Sequence, residues 1–136
     1  MEVNADRQAG GLGENDSLVL TGNVQIVQGT LRIQAARATV EREAGEIARI
    51  VLDGAPVRMD QQTDRGEPVN AKANRITYSP NDELLLLAGS AEVAQPRGTL
   101  RSETIRYNLN SGNVDSGGDG SRVQMILTPK TRPAAN

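Results

Sequence analysis

A short phrase, Leu-x-Gly, occurs three times along the chain, at Leu20-Thr21-Gly22, Leu52-Asp53-Gly54 and Leu87-Ala88-Gly89. A second phrase follows each copy. It alternates apolar and polar residues, slips by one residue, and alternates again. Leu31, Ile33 and Ala35 give way to Ala36, Ala38 and Val40. Val69, Ala71 and Ala73 give way to Asn74, Ile76 and Tyr78, and Leu100, Ser102 and Thr104 to Ile105, Tyr107 and Leu109. The three rows align without a gap. A strand-built unit recurring about every 35 residues stacks on its neighbours, because one copy cannot bury its apolar face alone. Such a stack carries a long apolar trough along its axis, and the trough is the best place to look for function.

The segment from Ile33 to Val51 reads in two ways. Ile33, Ala36, Val40, Ala44, Ile47 and Val51 fall at helical spacing among good helix formers. The equivalent segments of the other copies hold Ser79-Pro80-Asn81-Asp82 and Asn108-Leu109-Asn110-Ser111-Gly112-Asn113, neither of which continues a helix. Equivalent repeats share a fold, so residues 31–41 are expected as strand, with a turn near Ala44-Gly45. The slip then gains a physical meaning. Strand side chains alternate with period two, so a one-residue slip sends them to the other face unless the strand bulges. A bulge or corner is expected near Ala35-Ala36, Ala73-Asn74 and Thr104-Ile105, bending every layer into a V or U section.

The rest of the chain fits one all-β domain over residues 1–129 and a disordered tail over 130–136. Residues 1–6 read as a short strand with Val3 and Ala5 on one face, and residues 10–16 as a glycine-rich loop or bulged strand. Leu18, Leu20, Gly22, Val24 and Ile26 form one side of a half-buried strand. Turns are expected at 64–68, 95–98 and 110–113, and a loop at 115–121. Val123, Met125 and Leu127 alternate in a last strand that stops at Pro129.

Composition narrows the function. The 136 residues include no Phe, Trp, Cys or His and two Tyr, so the interior is a thin aliphatic layer. That suits an elongated sheet better than a ball. The net charge is −2, and the basic residues are scattered singly. Nucleic-acid binding calls for a basic patch with stacking aromatics, and neither is present. Without Cys the chain has no thiol chemistry, and no stretch nears the ~20 apolar residues of a membrane helix. No signal peptide is visible; one is expected either to have been removed or to lie outside this sequence.

Catalytic constellations lack parts. With no His or Cys there is no triad, thiolate or zinc site of the usual kinds. Gly117-Gly118-Asp119-Gly120 lacks the Lys-Ser/Thr of a phosphate loop and the spaced acids of a calcium loop, so a plain loop is the better reading. Asp53, Asp60, Asp64 and Glu67 cluster in sequence, as do Asp115 and Asp119, but a glycosidase pair would want aromatics to stack on sugar rings. They read as polar strand ends and turns. Tyr78 and Tyr107 read as core residues with hydrogen-bonded hydroxyls. The aliphatic stripe is either a plain core or the lining of a cavity for acyl chains, which need only non-directional burial at about 25 cal/mol per Å².

The run Leu20-Thr21-Gly22-Asn23-Val24-Gln25-Ile26-Val27-Gln28-Gly29-Thr30-Leu31-Arg32-Ile33, continued by Ala35 and Val40, resembles the hallmark strand pair of periplasmic lipopolysaccharide-transport proteins of the LptA (OstA-like) family. Glu2-Val3-Asn4-Ala5-Asp6 resembles the family's first strand. Ile50 to Gly54, Ala71 to Tyr78 and Leu87 to Ala91 resemble its later layers, with Ser90-Ala91 in place of the usual Asn-Val or Asn-Ala. The resemblance covers nearly all of residues 2–128. It implies a half-open, twisted β-jellyroll of stacked antiparallel strands, located in the periplasm, with no enzymatic activity, cofactor or metal.

It further implies that the acyl chains of lipid A lie in an apolar groove while the sugars stay outside. That groove would be lined by Leu18, Leu20, Val24, Ile26, Leu31, Ile33, Val40, Ile50, Leu52, Met59, Ile76, Tyr78, Leu85, Leu87, Val93, Leu100, Ile105, Tyr107, Met125 and Leu127. The N-terminal edge, Glu2, Val3, Asn4, Ala5 and Asp6, would pair with an inner-membrane-anchored jellyroll. The C-terminal edge, Arg122, Val123, Gln124, Met125, Ile126, Leu127 and Thr128, would pair with the periplasmic domain of an outer-membrane translocon. Head-to-tail self-association is a further expectation, since an open stack leaves unpaired backbone groups at both ends. The alternative is a structural β-solenoid that polymerises as a scaffold without a ligand.

Overall fold

A computed structural model describes residues 2–10, 17–62, 66–96, 98–116 and 122–127. The strands are β1 (Glu2–Asn4), β2 (Arg7–Gly10), β3 (Ser17–Gln28), β4 (Leu31–Glu43), β5 (Glu46–Gln62), β6 (Pro68–Ser79), β7 (Leu84–Gln95), β8 (Gly98–Asn108), β9 (Val114–Ser116) and β10 (Gln124–Leu127). One 3₁₀ turn, Pro80–Asp82, joins β6 to β7. All ten strands form a single antiparallel sheet in the order β1-β3-β4-β5-β6-β7-β8-β10, with β2 beside β3 and β9 beside β8. β1 and β10 do not pair with each other, so the sheet is open. This is the expected half-open stack of antiparallel strands. The helical reading of residues 33–51 fails: they are β4, a turn at Ala44-Gly45, and the start of β5.

The hairpins β3–β4, β5–β6 and β7–β8 each break register once, at the same height. Gly22 and Asn23 of β3 stand opposite the single Ala36 of β4. Gly54, Ala55 and Pro56 of β5 oppose Asn74 of β6, and Gly89 and Ser90 of β7 oppose Glu103 of β8. The Leu-x-Gly phrase and the slip are therefore two sides of one corner, with the extra residues on the Leu-x-Gly strand. This corrects the expected positions. The slip spans two residues, so Ala36 and Asn74, expected inside, are exposed, and the third corner lies at Glu103-Thr104 rather than Thr104-Ile105. Gly22 likewise belongs to the bulge and not to the apolar row.

The local chemistry fits. Gly22 and Gly89 have φ of +79° and +84°, and the residues after them, Asn23 and Ser90, have φ of +48° and +50°. Two consecutive left-handed residues turn the strand sharply, and a glycine takes the first without a Cβ penalty. At Gly22 the space a Cβ would need is held by the Asp6 carboxylate, whose Oδ2 accepts from Asn23 Nδ2 at 2.9 Å.

The corners divide every layer into two arms. One arm contains β1, the second halves of β3, β5 and β7, the first halves of β4, β6 and β8, and β10. The other contains β2, the remaining halves, and β9. The N-terminal layer is thus one bent strand in two pieces, β1 and β2, with Ala5 and Asp6 crossing the corner. Val24, Ile26, Ile33 and Met59 on the first arm, and Ile50, Leu52, Ile76 and Leu85 on the second, are all 0% exposed. Among the described residues no second sheet covers them, so the two arms must fold onto each other and share one core.

Candidate functional site

The candidate lining residues occupy one face of this folded sheet. Leu20, Val24, Ile26, Leu31, Ile33, Val40, Ile50, Leu52, Met59, Ile76, Tyr78, Leu85, Leu87, Val93, Ile105 and Tyr107 are buried in a single cluster. Leu18 and Leu100 are half-buried against it. Met125 and Leu127 are exposed, at 61% and 67%. Ala38, Val57, Val69, Ala71, Ala73, Ala91 and Ser102 also belong to this face and were not expected as lining. Five of these, at 38, 69, 71, 73 and 102, were legible in the aligned rows. Val57 lies just past the corner of β5 at Gly54-Ala55-Pro56, where the parity of the strand reverses, and shares its side with Met59.

The interior is filled by its own side chains along most of its length. It opens at the C-terminal end, into an apolar cavity of about 290 Å³ lined by Val93, Gln95, Leu100, Val114, Met125 and Leu127 among others. The exposed large hydrophobic residues among those described, Val123, Met125, Ile126 and Leu127, all lie on this edge. Gln124 pairs with Arg101 and Leu127 with Gly98, so β10 is held by β8 while its outer side carries no neighbour among the described strands. At the other end Glu2 to Asn4 pair with Val27 to Gln25 of β3, and Val3 and Ala5 pack on the core. Thr128, the tail from residue 130, and the Gly117–Gly120 loop lie outside the described residues.

Both tyrosines carry a polar group into this aliphatic interior. The Tyr78 hydroxyl donates to Gln28 Oε1 at 3.0 Å, and the Tyr107 hydroxyl donates to Gln61 Oε1 at 3.1 Å. Both tyrosines are core residues with bonded hydroxyls, as expected. Each bond runs from one arm to the other, joining strands three places apart in the sheet order, β6 to β3 and β8 to β5. Sheet twist makes such arms cross obliquely. Burial raises the pKa of both tyrosines, and at Tyr78 the nearby Glu83 charge adds to the effect.

Charges stay on the outer face. Arg75 Nε donates to Asp53 Oδ1 at 2.7 Å across β6 and β5. Arg101 Nε donates to Glu92, and Lys72 Nζ lies 3.4 Å from the other Glu92 oxygen. The Arg101 hydrogen bond, aided by Lys72, holds the Glu92 carboxyl below the ordinary range, as the Arg49 hydrogen bond does for Glu41. Asp53 is thus engaged in an ion pair and Asp60 faces solvent. No group of three or more acidic residues among those described could hold a metal.

Residues 2–113 match the family described as LptA/(LptD N-terminal domain) LPS transport protein. The chain is 33% identical over 120 residues to the lipopolysaccharide export system protein LptA of Haemophilus influenzae, covering 85% of this chain and 70% of that protein. It is 29% identical over 132 residues to LptA of Escherichia coli, covering 95% and 71%. Among solved structures it superposes on LptH, described as the LptA-homologous periplasmic component of the lipopolysaccharide transport device of Pseudomonas aeruginosa. That match has a TM-score of 0.85 over 94% of both chains at 22% identity, a likeness of fold. With a family match over residues 2–113 and a relative 33% identical over 85% of the chain, the chain belongs to the LptA/(LptD N-terminal domain) family of LPS transport proteins.

Proposed function

We propose that this protein is a periplasmic bridge that carries lipopolysaccharide between the inner and outer membranes. The observation that carries the reading is the largely aliphatic inner face of one open sheet, running from β3 to the cavity beside β10. Acyl chains need apolar surface without directional partners, and this face supplies it from every layer. Sugars and phosphates would stay outside. The motion is passive sliding, with energy supplied elsewhere in the transport system.

The two ends would serve assembly. Both edge strands offer backbone N–H and C=O groups to a further antiparallel strand. The C-terminal edge adds Val123, Met125, Ile126 and Leu127, a patch suited to the core of an interface. A jellyroll anchored in the inner membrane would dock at β1 and β2, and the periplasmic domain of an outer-membrane translocon at β9 and β10. A second copy of the chain could extend the stack in the same way.

The filled interior also supports a second reading, a scaffold that polymerises without a ligand. Photo-crosslinking separates them. Probes replacing the half-buried Leu18 and Leu100 on the inner face should capture lipopolysaccharide, and a probe at the exposed Arg58 on the outer face should not. Equal capture, or none, at all three positions would sink the carrier reading and leave the scaffold.

A further inference from the structure

Three glutamines stand at equivalent places in the repeat. Gln28, Gln61 and Gln95 each lie two residues past a buried residue, Ile26, Met59 and Val93, near the ends of β3, β5 and β7. Alternation turns all three inward, along the rim of one arm. Gln28 and Gln61 are bonded across the mouth by Tyr78 and Tyr107 of the opposite arm. Gln95 receives neither tyrosine, and beside it the interior stands open as the cavity that holds Leu100 and Leu127. Next to the bonded glutamines the same rim is shut: Leu31 is 3% exposed and Val69 1%.

We propose that the Tyr78–Gln28 and Tyr107–Gln61 bonds are latches that hold the two arms together at the mouth and set how often the interior opens. Aliphatic packing resists opening without choosing a place for it. These bonds fix the two lips at defined rungs. They lie at the rim, where water can replace either partner as the arms part, so each adds a modest barrier rather than a permanent tie. The opening they control is the way an acyl chain would enter from the side. That last point rests on the lipid-carrier reading; the opening itself does not.

The absence of cysteine in the chain gives a direct test. Ala71 lies inside the same arm and is 6% exposed, so Ala71→Cys places one small, covered thiol behind the latches. Its alkylation rate by N-ethylmaleimide reports opening. Tyr78→Phe and Tyr107→Phe keep the rings and remove the donors. Each should raise the rate about five-fold, and the pair about 25-fold, the factor carried by a hydrogen bond of ordinary net strength. Gln28→Ala should reproduce the effect of Tyr78→Phe and add nothing to it in the double variant.

Unchanged alkylation in the phenylalanine variants, or full additivity of the Gln28 and Tyr78 changes, overturns the latch. Lipopolysaccharide capture by the Leu18 probe is measured on the same proteins. Capture that rises with alkylation supports entry at the mouth, and capture that stays constant while alkylation rises overturns that route. If no form captures lipid, the carrier reading falls and alkylation alone decides the latch.

Discussion

At the scale of single residues, the corners depend on backbone conformations that few side chains tolerate. Gly89 has φ of +84°, and a Cβ there would sit 2.9 Å from Asn74 Cβ. Gly29 has φ of +62° with nothing within 4 Å. Gly29→Ala should therefore cost only about 1 kcal/mol, for the left-handed conformation. Gly89→Ala should cost about 2–3 kcal/mol, because the crowding adds to the same conformational term. Urea midpoints of the two variants check the ordering, and equal losses would show that the corner is not crowded. The tyrosines carry a pH signature. Their folded pKa values lie above the unfolded value of about 10, so their contribution is fully present below that pH and is lost as pH rises through the folded values. Stability should fall on the alkaline side, and the Tyr78→Phe/Tyr107→Phe protein should lose less there than the parent. Parallel pH curves for the two proteins would sink this. The repeat made the tyrosines legible as interior residues. The glutamines that receive their bonds were not, because a polar residue at the end of an apolar row reads as the end of the strand.

At the scale of elements, the corner was legible but its anatomy was not. The slip in β4, β6 and β8 announced a change of face. The sequence could not say that the surplus residues sit on β3, β5 and β7, since a bulge is defined only by what lies opposite. Pro56 in the middle of the 17-residue β5 looks like a strand breaker, yet it occupies the corner, where Gly54, Ala55 and Pro56 together face one residue of β6. β9, three residues long, was read as part of a loop because so short a segment shows no usable alternation. Its strand character comes from pairing with Ile105 to Tyr107. The central layers should carry most of the stability. Leu52→Ala in β5, at a site with 0% exposure, should cost about 2–5 kcal/mol, whereas Met125→Ala in β10 should stay within about 0.5 kcal/mol. Chemical denaturation of both variants decides this. A comparable loss at Met125 would mean that β10 belongs to the folding core.

At the scale of the whole molecule, the apolar C-terminal edge is a liability unless something covers it. Replacing Met125 and Leu127 together by Asp should leave the denaturation midpoint nearly unchanged and weaken any assembly through this edge by ten-fold or more (about 1.4 kcal/mol). Sedimentation velocity over a concentration series reads the effect for self-association. Undiminished association would place the contact elsewhere. The sequence by itself determined the stack: three aligned copies, period-two alternation and glycines at fixed height give layers of bent strands, and the family resemblance made them antiparallel. It also determined an aliphatic interior. Only the tertiary structure decided whether that interior is open or closed. Alternation tells which side chains share a face, but closure depends on how far one arm lies over the other. That distance is set by corner geometry and by the Tyr78–Gln28 and Tyr107–Gln61 contacts between strands three layers apart. No local pattern in the sequence encodes it.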